Sequence, residues 1–244
     1  YTMYMGLTII QVILLLIGKM PLFDALCNTF GSAGTGGFAI KNTSIGAYNN
    51  SYYEIIITIF MILFGVNFNM YYFLLIKDFK QVFKNEELRA YLGVILFSIV
   101  CITINILSMY NFDVVKSIRL ASFQVGSIIT TTGYATVNFD AWSQTCRAIL
   151  VLLMFVGACA GSTGGGIKVS RFIVMVKTMI KELNSYIHPK SVKKIKMDDK
   201  PIEHEVVRSI NVYFITFMII FVASVIAISF EGHDLVTNFT AIAA

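Results

Sequence analysis

Between Thr130 and Thr136 the chain reads Thr-Thr-Thr-Gly-Tyr-Ala-Thr, and it carries no Asp, Glu, Lys or Arg from Thr130 to Asn138. A shorter version, Gly34-Thr35-Gly36-Gly37-Phe38-Ala39, lies about a hundred residues earlier and is equally free of charge up to Ile40. Small, hydroxyl-bearing, uncharged stretches of this kind offer one chemistry above others. An extended backbone turns its carbonyl oxygens one way, and a ring of such oxygens replaces the hydration shell of an alkali cation. Glycine opens dihedrals closed to other residues. Thr35 and Thr132 add hydroxyls, and Phe38 and Tyr134 are placed to wedge each loop against neighbouring helices. The candidate filter residues are Gly34, Thr35, Gly36 and Gly37 in the first copy and Thr131, Thr132, Gly133 and Tyr134 in the second. The competing structural explanation is that these glycines merely permit close helix packing. Two copies in the same setting favour the filter.

That setting is a membrane. The 244 residues are 57% hydrophobic and 14% charged, with a mean hydropathy of +0.74. These values exclude an ordinary soluble domain. Residues 1–20 are apolar for long enough to cross a ~30 Å core at ~1.5 Å per residue, and Pro21 is expected to end that span. Asp24 is placed to cap a half-helix over 24–32, too short to cross, which delivers its C-terminus to the first loop. Irregular backbone at membrane depth must line a cavity or be buried in protein. A polar external loop (41–51) and a long span (53–76) follow. Within that span Asn67 and Asn69 are read as helix-to-helix hydrogen-bonding groups in preference to ion contacts.

The pattern then recurs. A span at 90–109, a turn at Asn111-Phe112-Asp113 and a segment at 114–129 lead to the second loop. A span at 206–230, a turn at Glu231-Gly232-His233-Asp234 and a truncated helix at 235–244 begin a third round. Each turn sets an Asp before an apolar pair, which marks an internal repeat with a period near one hundred. From Asp24 to Gly36 is shorter than from Asp113 to Gly133, so the second pore helix should start earlier or gain a turn. The half-helices point their partially negative C-termini at the cavity, which favours a cation.

The stretch 143–180 would be one very long helix but for Gly157-Ala158-Cys159-Ala160-Gly161-Ser162-Thr163-Gly164-Gly165-Gly166. Each glycine costs a helix about 1 kcal/mol relative to Ala, so an unwound segment below the filter is expected. A phosphate-binding loop is excluded because Ile167 stands where that motif needs Lys, and Val169 follows Lys168.

The net charge of +5 is unevenly spread. Four Lys and Arg fall in 77–89 and ten in 168–208, against five elsewhere (Lys19, Lys41, Lys116, Arg119 and Arg147). That is the positive-inside pattern, with both basic loops cytoplasmic, and it argues against nucleic acid as a partner. Lys190, Lys193, Lys194, Lys196 and Lys200, around Pro189 and Pro201, suit a solvated loop near anionic lipid. Asp24, Glu54, Asp113, Asp140, Glu231 and Asp234 lie on the opposite side, where they would draw cations to the pore mouth, although helix capping accounts for three of them. His188, His204 and His233 lack metal-ligand spacing, and Cys27, Cys101, Cys146 and Cys159 form neither a disulfide framework nor a zinc site.

Thr131-Thr132-Gly133-Tyr134-Ala135-Thr136, Thr35-Gly36-Gly37-Phe38, Gly65-Val66-Asn67-Phe68 and above all Gly161-Ser162-Thr163-Gly164-Gly165-Gly166-Ile167-Lys168 resemble the Trk/Ktr/HKT superfamily of potassium transporters, on its bacterial TrkH/TrkG side. The likeness covers essentially the whole chain. It implies an all-α membrane protein of span–re-entrant pore helix–filter loop–span units of the potassium-channel type, four to a pore. By that comparison 1–76 is the second unit, 77–89 a cytoplasmic linker and 90–180 the third unit with a broken last helix. Residues 181–205 are then a basic cytoplasmic loop and 206–244 the start of a fourth unit. The chain is therefore expected to be a piece of a larger protein and not to conduct alone. The resemblance further implies K+ uptake across the inner (plasma) membrane, with K+ held by filter backbone carbonyls as cargo and no bound cofactor. It makes Gly157, Gly161, Ser162, Thr163, Gly164, Gly165, Gly166 and Lys168 a gating loop. It also implies a cytosolic nucleotide-binding regulatory subunit of the TrkA kind on the basic face, and a homodimer. Sodium coupling or permeation within the same superfamily is the nearest alternative. A membrane-embedded enzyme or receptor scaffold is the rival of another class. It lacks support because no ionisable pair stands mid-span.

Overall fold

The computed structural model describes residues 1–188, 194–232 and 234–243. Pro189, Lys190 and Lys193 of the basic loop, and His233 of the last turn, lie outside the described residues. The helices are α1 (Thr2–Ile17), α2 (Leu22–Ala33), α3 (Ser51–Phe64), α4 (Phe68–Leu75), α5 (Phe79–Lys84), α6 (Glu86–Ile106), α7 (Val114–Ile129), α8 (Gln144–Phe155), α9 (Val169–Ile187), α10 (His204–Ser229) and α11 (Leu235–Ala243). A two-stranded antiparallel hairpin, β1 (Lys196–Met197) and β2 (Lys200–Pro201), sits between α9 and α10.

Several helices start where a short polar side chain satisfies a free N–H. Asn50 accepts from Tyr52 N, Asn85 from Leu88 N, Asp113 from Lys116 N and Ser143 from Cys146 N. Among the described residues α6 and α10 are individually long and apolar enough to cross a membrane. The pair α3–α4 qualifies only together, because it is bent by 94°.

That bend corrects the continuous span expected at 53–76. Helix α3 stops at Gly65, where an added Cβ would stand 2.2 Å from the Tyr91 hydroxyl, so α6 crosses too close for any side chain there. Asn67 then caps α4 by accepting from Asn69 N. It is a helix cap, not the interhelical hydrogen bond expected, and Asn69 is exposed. Two further expectations change at the first turn. The chain leaves α1 at Gly18 and Lys19 (φ 66°) before reaching Pro21, which becomes the N-cap of α2. Asp24 caps nothing. It lies in the first turn of α2, and its carboxylate accepts 2.7 Å from the Tyr48 hydroxyl. Asp113 and Asp234 do cap, as expected of them.

The half-helix α7 is the centre of packing. It is flanked by α3, α6 and α8, and Leu120, Ala121, Val125 and Ile129 enter one core with Tyr91, Ile95, Ile102, Leu150, Leu153 and Cys159. Its opposite side sends Phe123, with Tyr134 just beyond its end, into a second core built from Leu15, Ala25, Ile45, Ile57 and Met61. The Arg119–Glu54 ion pair (2.8 Å) ties α7 to α3 towards their N-terminal ends. The two units therefore share a core rather than stand side by side. Helix α10 contributes little to it and presents Ile215, Ile219, Ile220 and Ile226 outward.

Candidate functional site

Helices α2 and α7, of 12 and 16 residues, both end against an extended loop. Their endings share three backbone bonds. Gly34 N, Thr35 N and Gly36 N donate to Phe30 O, Ser32 O and Gly31 O. Thr130 N, Thr131 N and Thr132 N donate to Gly126 O, Ile128 O and Ser127 O. Every member of the second set lies 96 positions after its counterpart, Gly34 to Thr130. The backbone angles agree as well. Gly34 and Thr130 share φ −87° and ψ 0°. Thr35 (φ 51°) and Thr131 (φ 56°) are both left-handed, as are Gly37 (φ 64°) and Gly133 (φ 84°). The repeat therefore aligns Gly36 with Thr132, not with Gly133, one position away from the sequence alignment. The longer α7 gains its extra turn at its N-terminal end.

Left-handed threonines are costly, at about 1–2 kcal/mol each. Here the conformation recurs at both positions and the hydroxyls are used. Thr131 Oγ1 accepts from Gly165 N at 2.7 Å, and the Thr35 hydroxyl is shared between Gly34 O at 2.8 Å and Thr163 O at 3.2 Å. Among the described residues the carbonyl oxygens of Thr35, Gly36, Gly37, Thr131, Thr132 and Gly133 accept no hydrogen bond. The loops approach closely. A Cβ on Gly37 would stand 1.8 Å from Thr132 O, whereas one on Gly133 would meet nothing within 4 Å.

Tyr134 wedges as expected. It is 1% exposed, its carbonyl accepts from Ser127 Oγ (2.6 Å), and its hydroxyl donates to Asn28 O of α2 (3.0 Å), over Gly31. Phe38, its equivalent, does not. It is 87% exposed. The groove that receives Tyr134 belongs to the other unit's half-helix, so position in the repeat decides whether the aromatic finds a partner.

The glycine-rich segment is unwound between α8 and α9 and lies directly against both loops through the Thr131 and Thr35 bonds. Its ends clasp each other, with Gly157 N donating to Ile167 O at 2.8 Å and Val169 N to Ala158 O. A Cβ on Gly157 would come 2.3 Å from Gly165 O. Gly164 O accepts from the Lys168 ammonium, and Ser162 Oγ donates to Cys159 O. On its other side the segment meets the α3–α4 bend. Cys159 N donates to Gly65 O (3.0 Å), Phe68 N to Gly161 O (3.2 Å) and Thr163 Oγ1 to Phe64 O (3.3 Å). Gly65 and Gly161 are themselves 96 positions apart, so the two breaks are repeats of one feature. Each satisfies backbone groups that the other exposes, as irregular chain at membrane depth requires.

Sequence reasoning missed three contributors: the bend at 65–67, the Gly31–Asn28 groove, and Glu87. Glu87 lies in the first turn of α6 and its Oε1 accepts from Ala160 N (2.7 Å) and Ser170 N (3.0 Å). The sequence did carry a signal for the first. Gly65-Val66-Asn67 repeats the glycine break between α8 and α9 in weaker form. No group of three or more His, Cys, Asp or Glu able to hold a metal ion occurs among the described residues. The arrangement offers oxygen from backbone and hydroxyl groups instead.

The chain is 30% identical to the Trk system potassium uptake protein TrkH of Salmonella typhimurium (strain LT2), over all of this chain and 51% of that protein. It is also 30% identical to TrkG of Escherichia coli (strain K12), over 93% of this chain and 47% of that one. It superposes on the crystal structure of the potassium transporter TrkH from Vibrio parahaemolyticus with a TM-score of 0.89 and 27% identity, covering 98% of this chain and 52% of that chain. The chain thus spans about half the length of the relatives it matches. A family model described as TrkH, cation transport protein, matches residues 2–244, and the chain belongs to that family of membrane transporters.

Proposed function

We propose that this chain supplies two of the loops of a potassium-selective pore and takes part in potassium uptake across the cell membrane. One observation carries this reading. Two uncharged loops, matched in backbone at a 96-residue offset, meet, and among the described residues the carbonyl oxygens of Thr35, Gly36, Gly37, Thr131, Thr132 and Gly133 accept no hydrogen bond. Such oxygens can replace the water around a dehydrated K+, and the C-termini of α2 and α7 add partial negative charge. The relatives are named as potassium uptake proteins, and that supports K+ as the ion.

The segment 157–166 is the gate in this reading. It is hydrogen-bonded to the undersides of both loops through Thr35 and Thr131, and glycines keep it thin enough to fit there. Ions pass when it withdraws. A cytosolic nucleotide-binding regulator on the basic face and a homodimeric assembly complete the proposal, supported by the family resemblance and by the lysines of the α9–α10 connection. Two units make half a ring, so transport is a property of the full-length protein.

The test uses that protein in a strain lacking potassium uptake. Growth at low potassium is expected with the wild type, and its absence at normal membrane expression overturns the transport reading. A Cβ on Gly164 would stand 2.5 Å from Ala158 Cβ, and one on Gly165 would stand 2.9 Å from Thr131 Oγ1. Gly164→Ala and Gly165→Ala should therefore alter open probability in single-channel recordings while leaving the K+/Na+ reversal potential unchanged. Unaltered gating in both variants rejects the gate.

A further inference from the structure

One oxygen atom ties the 157–166 segment to the start of the helix that follows it. Glu87 is 3% exposed, and its Oε1 accepts from Ala160 N at 2.7 Å and from Ser170 N at 3.0 Å. Ala160 lies within the segment, and Ser170 is the second residue of α9, whose first-turn N–H groups have no partner inside the helix. An acidic side chain suits that positive helix end. Because the two donors share one acceptor, any movement that separates Ala160 from the start of α9 breaks at least one bond.

The turn of α6 that carries Glu87 is itself held from the cytoplasmic side. Asp198, at the tip of the β1–β2 hairpin, accepts from Glu86 N (2.8 Å) and from Asn85 Nδ2 (2.9 Å). Asp199 pairs with Lys84 at 2.6 Å, and Glu86 pairs with Lys177 of α9. The hairpin, the first turn of α6 and the segment therefore form one continuous run of hydrogen bonds.

We propose that Glu87 is the positioning residue that holds the 157–166 segment against Thr35 and Thr131, and that the cytoplasmic hairpin sets this hold through Asp198. The proposal rests on the reading of that segment as the gate. Loss of a buried acceptor shared by two N–H groups should shift a two-state element by about tenfold or more.

The experiment compares Glu87→Ala, Glu87→Gln and Asp198→Ala in the full-length protein, by single-channel recording and by amide hydrogen exchange. Glu87→Ala should raise the open-to-closed ratio about tenfold or more. Glu87→Gln, whose amide oxygen can accept the same two bonds, should recover part of the closed state. The K+/Na+ reversal potential should not move. Asp198→Ala should raise opening in the wild-type background and add nothing in the Glu87→Ala background, since both act through one contact. The amides of Ala160 and Ser170 should exchange faster in Glu87→Gln than in the wild type. Wild-type opening in Glu87→Ala overturns the proposal, as does unchanged exchange in Glu87→Gln should Glu87→Ala fail to fold. Additive effects of the two alanine variants overturn the role of the hairpin. If the wild-type protein carries no K+ at all, the pore reading fails and the exchange result alone judges the clasp.

Discussion

The wedge of Tyr134 into α2 can be tested by a pair of substitutions whose effects should not add. An alanine at Gly31 would place its Cβ 2.0 Å from the Tyr134 hydroxyl oxygen, far inside normal contact. Overpacking of this kind costs about 1–3 kcal/mol, offset by about 1 kcal/mol of helix propensity gained on leaving glycine. Gly31→Ala alone should thus destabilise by up to about 2 kcal/mol. Tyr134→Phe alone removes the 3.0 Å bond to Asn28 O and should cost about 1 kcal/mol. In the double variant the nearest atom becomes the ring carbon at 3.0 Å, a contact that a small shift of the ring relieves, while the propensity gain remains. The double variant should be at least as stable as Tyr134→Phe alone, and the coupling is the relieved overpacking, about 1–3 kcal/mol. Denaturant unfolding of the full-length protein in nanodiscs measures all four species, and ion selectivity provides a second readout. Additivity within about 0.5 kcal/mol would refute the claim that this hydroxyl sits against that glycine.

Two further outcomes follow from local geometry. Gly37→Ala should be far more damaging to K+ uptake than Gly133→Ala. Both force alanine to a positive φ, but only the first drives a Cβ to 1.8 Å from a loop carbonyl. Equal uptake by the two variants of the full-length protein counts against close approach of the loops. In the loop between α2 and α3, burial first and the hydrogen bond to Asp24 second push Tyr48 up to about 12, from its ordinary value near 10. A group raised on folding contributes its stability in full below the unfolded value and loses it as pH climbs from about 10 to about 12. Unfolding midpoints should fall across that window and should fall less in Tyr48→Phe. Identical pH profiles would show that this phenol does not titrate with folding.

Legibility in the sequence followed the strength of local signals. Half-helices α2 and α7, and the rupture between α8 and α9, could be read because short apolar runs ended in clustered Gly and Thr. The bend at Gly65 could not. A single glycine and an Asn within an apolar run are compatible with a straight span, and the reason for the break is the Tyr91 hydroxyl, a tertiary contact. Asp24 misled for a related reason. Its spacing fits a cap, but Pro21 already opens α2 and Tyr48 claims the carboxylate. The loops themselves were recognised, but their alignment slipped by one, because glycine identity was matched where the backbone instead matches left-handed Thr35 to Thr131. Glu87 was hidden by its neighbourhood. In sequence it is one of two acidic residues opening a helix beside a basic stretch, and only the fold brings Ala160 and Ser170 to it.

The insertion of Tyr134 over Gly31 has a bearing on how such a molecule is made. Translation proceeds from the N-terminus, so the socket on α2 exists before its occupant is synthesised. The ring of Tyr134 then locks onto a surface already in the bilayer. A lesion in the socket would consequently surface as a fault at Tyr134, about a hundred residues beyond the mutated codon.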